Sequence, residues 1–456
     1  MSSDAPVKKM TLFSLAIPIL IEQVLRNLMG TVNVFMLSHY SDDAVAAVGV
    51  ANQIINVVVI AFTMISAGAA IVINHALGAK SYKDGAAISM NAVTSAAGLG
   101  LLASAALGFF AEPFVRMVGL EAALLPDAVS YLRITGGAAI ILALSTMMST
   151  IFRCYGNARV PMAVVVLNNI LNIMGTSLVI FRPFEIPLTG VAGVAVVRAA
   201  SECVGLIFQI VVMVRSRFDF RIYDIFHVRF ARVKRIVSMG LMSGMEGISY
   251  TLGQVVTTGF LTAFGAAALS AKVYVQNVDY YAYVIGLAIG QATQIIAGHK
   301  IGAGDFDGAY RFVRRNWRYI ALCNVVFGSL MFALSPQLMS LFTEDPAIVA
   351  LARQLFLIDI FIHAGRSLNH SFNYGLRSAG YVFWPMVIAV CSIWICNVGM
   401  GYVFSTVCGL GAVGLWLAQM ADEWIRGLSM ATLWLRRKWE APLRKTQGIP
   451  ESMGIS

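Results

Sequence analysis

The sequence predicts an all-α polytopic membrane protein with twelve transmembrane helices in two pseudo-symmetric six-helix lobes. Three observations predict it. Of the 456 residues, 58% are hydrophobic and 12% charged, about half the charged fraction of a soluble chain, and mean hydropathy is +0.76. "FRCYGNARVPM" at 152–162 returns as "LRSAGYVFWPM" at 376–386. Lys and Arg gather at alternate ends of the apolar runs.

A run of about 20 apolar residues crosses a hydrocarbon core of about 30 Å as a helix. Twelve runs are expected, at 11–37, 45–73, 86–111, 126–151, 162–181, 190–214, 236–263, 267–297, 319–342, 347–375, 382–407 and 411–435. The ten-residue alternation of outer-membrane barrels is missing. Pro18, Glu22 and Arg26 interrupt the first run and no small-residue cleavage site follows it, which argues against a removable signal peptide. The implied divisions are an N-lobe (1–214), a basic cytoplasmic linker (215–235), a C-lobe (236–435) and a cytoplasmic tail (436–456).

Charge tests this topology independently, because Lys and Arg accumulate in cytoplasmic loops. With both termini inside, the cytoplasmic segments hold Lys8 and Lys9, Lys80 and Lys83, Arg153 and Arg159, the linker's Arg215, Arg217, Arg221, Arg229, Arg232, Lys234 and Arg235, then Lys300, Arg311, Arg314, Arg315 and Arg318, then Arg377, and finally the tail's basic residues. Only Arg116 and Arg182 fall outside. The net charge of +10 therefore needs no nucleic acid. A bacterial-type inner membrane is the expected location.

A duplication keeps its spacing, whereas coincidence does not. Arg153 and Arg377, Gly156 and Gly380, Pro161 and Pro385, His75 and His299, and Glu22 and Glu246 all stand 224 residues apart. Gly190, Gly193 and Glu202 face Gly411, Gly414 and Glu423 at 221, a drift that a three-residue loop deletion produces. An even number of helices per half is expected to give both copies one orientation, related by an axis along the membrane normal, with a cavity between them. The repeated stretch then becomes the cytoplasmic turn between the fourth and fifth helices of each half. Its Gly makes the turn, its Pro begins the next helix, and its Arg is expected to anchor at the membrane interface.

An ionisable side chain at mid-membrane needs a partner, a wet cavity or a function. Glu22, Glu202, Glu246, Asp279, Asp359 and Glu423 lie near the middle of their runs, with Asp422 beside the last, and are the candidates for ion coupling. Neutralisation on the same helix is the bland alternative. The i, i+4 spacings of Glu22 and Arg26, Arg198 and Glu202, and Asp422 and Arg426 support it. Glu246 and Asp279 have no base within one turn, Lys272 being seven residues from Asp279, which singles them out as coupling candidates. Asp359, His363, Arg366 and His370 share a face of the tenth helix, and a histidine there suits a proton relay or a structural hydrogen-bond network.

Asn168, Asn172 and Thr176 form a polar line on the fifth helix, and Tyr250, Gln254 and Gln276 add phenol and amide groups. These join Asn33, His363, Arg366 and His370 as substrate-cavity candidates, with core hydrogen bonding as the alternative. Cys154, Cys203, Cys323, Cys391, Cys396 and Cys408 form no CxxC pair and read as packing residues. "GAGDFDG" at 302–308 lacks a phosphate-loop or calcium-loop context and reads as a turn. There is no HExxH motif, and neither a metal site nor a cofactor is expected. No nucleotide-binding domain is present, so transport draws on an ion gradient or runs downhill.

Two parallel six-helix halves carrying "AIPILIEQV", "HALGA" and "HKIGAG", the paired Arg-Gly-Pro turns, "LTGVAGVAVV", "GLGAVGLWLA" and "DEWIRG" before "RRKW" resemble the multidrug and toxic compound extrusion (MATE) family over essentially the whole chain. The resemblance implies an efflux antiporter that exchanges a small organic substrate for H+ or Na+ by rocking two lobes. It also exposes departures. Asn33 stands where the family usually places an Asp on the first helix, Asn172 and Thr176 stand for its Asn and Asp on the fifth, and Arg366 aligns with an Asp on the tenth. Glu246 is retained. An Asn neither releases a proton nor charges a Na+ site, so coupling is expected at Glu22, Glu202 or the C-lobe acids, and the substrate is expected to be neutral, zwitterionic or anionic.

Two alternatives remain at this level: a flippase of the same fold for a lipid-linked or amphipathic substrate, and a membrane-embedded transferase using His363 or His370 as a base. The duplication argues against the enzyme. A small-molecule substrate and the lipid bilayer are the expected partners, and the internal pseudo-dimer is expected to function as a monomer.

Overall fold

The computed structural model describes residues 7–8, 10–181, 189–216 and 229–447. Lys9, Arg182, Arg217, Arg221, most of the expected linker and the last part of the expected tail lie outside the described residues. Among those described, regular structure is entirely helical. The twelve spanning helices are α1 Leu12–Ser38, α2 Asp42–Gly78, α3 Tyr82–Phe109, α4 in two segments (Leu125–Gly137 and Ala139–Cys154), α5 Arg159–Phe181, α6 Gly190–Arg215, α7 Phe230–Thr262, α8 Ala266–Gly302, α9 Phe306–Ala333, α10 Pro346–Ser378, α11 Phe383–Val407 and α12 Gly411–Leu435. Among the described residues, eight of these are long and apolar enough by themselves to cross a membrane, and bent α4 makes a ninth. The other three, α7, α9 and α12, have 33, 28 and 25 residues. Their lower apolarity comes from charges inside them, Glu246, Arg314, Arg315, Arg318, Asp422, Glu423 and Arg426.

Local chemistry sets the helix ends. Ser41 caps α2 by accepting from the Asp43 N–H at 3.1 Å, and Asp42 and Asp43 oppose the positive end of the helix dipole. Asp345 caps α10 through the Ala347 N–H at 2.8 Å, with Pro346 next. Gly156 and Gly380 turn the chain after α4 and α10 at φ +81° and +71°, a region that favours glycine. Pro161 and Pro385 are each the third residue of the helix that follows, where no helical partner awaits the missing N–H.

Three spans differ most from the straight helices their apolar runs suggest. α9 begins at Phe306, not 319, because Asp305 caps it through the Gly308 N–H at 2.8 Å and the arginines after it are compatible with a helix that extends beyond the apolar stretch. α4 bends by 46° between Gly137 and Ala139; the Gly136-Gly137 pair permits the break, and Ser104 of α3 accepts the Ile140 N–H at 2.9 Å. In α11 the helix widens to π geometry over Ile393–Met400 and Val403–Val407.

The chain forms two compact units, an N-lobe built on Ile17–Leu241 and a C-lobe built on Met242 onward together with Thr11–Ala16. Each has its own apolar core, and the duplication reaches into both. Leu37, Ala44, Ala47, Tyr131, Leu132, Val191 and Val194 are buried together in the first. Leu261, Ala268, Ala271, Leu355, Phe356, Ala412 and Leu415, their counterparts at offsets of 224 or 221, are buried together in the second.

Candidate functional site

In the N-lobe, Glu22 of α1 is 1% exposed. Arg26 of the same helix reaches it at 3.1 Å, as its spacing predicts. The shorter bond comes from Arg153 of α4, whose Nη2 lies 2.6 Å from both carboxylate oxygens. The Arg of the repeated stretch therefore has a partner beyond the expected interface anchoring: burying Glu22 requires an opposite charge beside it, and Arg153 supplies one from another helix. The C-lobe repeats the bond. Arg377 Nη2 donates to Glu246 Oε2 at 2.9 Å and to the Ser243 carbonyl at 3.0 Å. The two residues that return at an offset of 224 return as a bonded pair.

Glu246 and Asp279 do not lack bases. Spacing along one helix suggested so, but arginines from neighbouring helices complete both sites. Glu246 also accepts from Arg426 Nη1 at 3.2 Å and Asn373 Nδ2 at 2.9 Å. Asp279 Oδ2 accepts from Arg366 Nη1 at 3.1 Å, and its Oδ1 lies 2.8 Å from His363 Nε2, out of line for a hydrogen bond. Arg366 donates onward from Nε to Glu423 Oε1 at 3.2 Å and lies over the Tyr283 ring. Glu423 takes Asn369 Nδ2 at 3.1 Å and neighbours Arg426 at 3.3 Å. Arg426 holds Asp422 at 2.7 Å, as the spacing predicts, and Asp422 accepts from Ser392 at 2.6 Å.

The result is one alternating chain within the C-lobe, Asp279–Arg366–Glu423–Arg426–Glu246–Arg377, drawn from α8, α10, α12 and α7. Four carboxylates, counting Asp422, meet three guanidiniums. By formal count the cluster has one carboxylate more than it has guanidiniums, and one added cation balances it. Asp359, 3% exposed, stands apart: Trp416 Nε1 donates to its Oδ1 at 2.9 Å, and its Oδ2 has no hydrogen-bond partner. His370 packs edge-on against Tyr283 and Tyr374. Asp359, His363, Arg366 and His370 therefore share a face of α10 but not one set of partners.

The remaining candidates form small separate groups. Gln276 Nε2 donates to Gln254 Oε1 at 3.3 Å between α8 and α7, and Tyr250 lies one turn before Gln254. In the N-lobe, Asn168 Nδ2 donates to Glu202 Oε2 at 3.0 Å, Thr176 reaches Asn172 at 3.4 Å, and the side-chain Oδ1 of Asn33 is buried without a partner. Arg198 does not close on Glu202 as its spacing suggested; it donates to Asn52 Oδ1 at 2.6 Å and the Tyr131 hydroxyl at 2.7 Å, because polar groups on α2 and α4 lie nearer. Arg198 and Glu202 line an N-lobe pocket with Phe62, Thr135 and Leu142, beside the break in α4.

Sequence reasoning missed Arg153 and Arg377 as partners of intramembrane acids, and it missed Trp416, Asn369, Asn373 and Ser392. For the two arginines a signal existed: each shares its offset with the Glu it binds.

A family model described as MatE matches residues 18–178 and again 243–403, one match in each half. The chain is 37% identical to "Uncharacterized transporter YisQ" of Bacillus subtilis, covering 95% of both chains. It is 27% identical to "Probable multidrug resistance protein NorM" of Thermotoga maritima, covering 96% of this chain and 94% of that one. Among solved structures, a MATE transporter in a bent conformation superposes with a TM-score of 0.87 at 19% identity, covering 96% of each chain. A MOP superfamily transporter from Pyrococcus furiosus, described as having a binding pocket of reverse polarity, gives 0.85 at 18%, covering 95% of this chain and 96% of that one.

Proposed function

Because the chain belongs to the MatE family of transporters, we propose that it is a secondary efflux antiporter, exporting a small organic substrate in exchange for H+ or Na+ by alternating access. The multidrug resistance names of relatives such as the Thermotoga maritima protein support efflux as the direction. The basic cytoplasmic segments of the sequence support a cell-membrane protein with both termini inside, and the internal duplication supports a functional monomer.

One observation carries the coupling: four carboxylates share three guanidiniums in the C-lobe chain from Asp279 to Arg377. A single proton or a single Na+ among the carboxylates completes the balance. Losing that cation leaves a buried negative charge, and a buried charge without compensation is expensive. The loaded and empty chains therefore favour different packings, which is what an antiporter needs. Asn33 offers no such charge in the N-lobe. Arg366 stands where the family resemblance implies an acid on α10, which supports a neutral, zwitterionic or anionic guest and leaves the surplus carboxylate to the coupling cation.

Purified protein in liposomes with an internal pH dye tests this. Wild type should move protons when aromatic substrates are added, and Glu246→Gln and Asp279→Asn should abolish the response. A response that requires Na+ alone would reassign the ion. Proton movement undiminished in both variants would remove the chain from the coupling mechanism.

A further inference from the structure

Among the described residues of its spanning helices, the C-lobe contains one buried Lys or Arg outside the ion-pair chain. Lys272 of α8 is 4% exposed, and its Nζ meets the Thr258 Oγ1 of α7 at 2.6 Å. That hydroxyl has already turned its own proton to the Gln254 carbonyl at 2.6 Å, so it serves the ammonium only as an acceptor. An ammonium has three donors. Among the described residues no carboxylate lies within ion-pair distance of it, whereas Arg366, Arg377 and Arg426 each hold at least one.

The surroundings of Lys272 form a track. On α8, Lys272, Gln276 and Asp279 follow at intervals of four and three residues, and on α7, Glu246, Tyr250, Gln254 and Thr258 follow at intervals of four, so each set shares a helical face. Two rungs join the faces, Lys272 to Thr258 and Gln276 to Gln254 at 3.3 Å. One end of the track is the acid-rich ion-pair chain and the other is an ammonium without a counter-charge. We propose that Lys272 is an anion-binding subsite, where the carboxylate or other singly charged anionic group of a substrate supplies the missing counter-charge. An uncharged body then lies along the Gln and Tyr side chains. This deepens the efflux reading and rests on it for what is carried, though not for whether the anion binds.

Equilibrium binding to the detergent-purified protein tests it without any ion gradient, using 2-naphthoate and 2-naphthamide, matched in size and different in charge. Wild type should bind 2-naphthoate more tightly than 2-naphthamide. Lys272→Gln should weaken 2-naphthoate by about tenfold or more, as loss of a desolvated charge partner does, while 2-naphthamide is little changed. The unliganded variant should unfold at the same or a higher temperature than wild type, because a costly unpaired charge has been removed; a structural lysine would make the variant less stable. Equal binding of both compounds to wild type, or equal weakening of both in the variant, overturns the proposal. Naphthoate that binds through Lys272 but is not exported from proteoliposomes leaves the subsite in place and removes the efflux reading instead.

Discussion

Arg153 and Glu22 show how much a single residue depends on its partner. Glu22→Gln keeps the shape of the side chain but takes the anion away from Arg153, whose Nε is already buried without a partner. Stability should fall by about 3–5 kcal/mol, the usual consequence of breaking a buried pair from one side. Thermal unfolding in detergent checks it, and Glu22→Gln with Arg153→Met should recover most of the loss. Outside the membrane, Asp305 provides a pH-dependent contribution. Partial burial pushes its carboxyl up, but the Lys300 and Gly308 hydrogen bonds and the nearby positive charges outweigh burial and hold it below the ordinary value. A lowered carboxyl stabilises the fold above the ordinary Asp pKa, and this contribution fades as pH falls through the folded value, below about pH 4. Asp305→Asn should keep the helix cap and flatten that part of the stability profile, whereas Asp305→Ala should also lose about 1 kcal/mol of capping.

At the scale of the element, the break in α4 and the end of α12 each rest on a few contacts. Ser104 accepts the Ile140 N–H that the break leaves free, so Ser104→Ala should cost about 1 kcal/mol, read as a lower unfolding temperature. Beyond α12, what the sequence presents as a polar tail begins with a docked helix, Glu440–Gln447. Trp439 stacks on Trp434 with centroids 4.4 Å apart, both fully buried. Arg437, held in the left-handed region at φ +54°, lies over the Tyr310 ring at 5.1 Å and pairs with Asp307 and Glu440. Trp439→Ala removes about 3–5 kcal/mol of packing and should release this helix first, so limited proteolysis should cut the tail faster while the spanning helices stay intact.

For the whole molecule, the helices and the duplication were legible in the sequence because apolar length and spacing are properties of the chain itself. The repeat even marked matching core positions, such as Leu132 and Phe356. Partners were not legible. Glu246 looked bare because its bases stand 131 and 180 residues away, and only packing brings α10 and α12 beside α7. Bends and π turns escaped for a related reason: hydropathy records whether a segment is apolar, not how its backbone hydrogen bonds are shared. The surplus carboxylate of the C-lobe has a consequence for energetics. Under the proposed antiport, a lobe that returns inward holding one cation, after releasing an uncharged guest outside, carries one positive charge into the cell per cycle; an anionic guest adds a second. The cycle is then electrogenic, and each charge draws about 2.3 kcal/mol from every 100 mV of membrane potential. Export should accelerate when a potassium diffusion potential makes the cytoplasmic side negative at equal pH on both sides, and a rate indifferent to voltage would mean that the charges crossing in the two directions cancel.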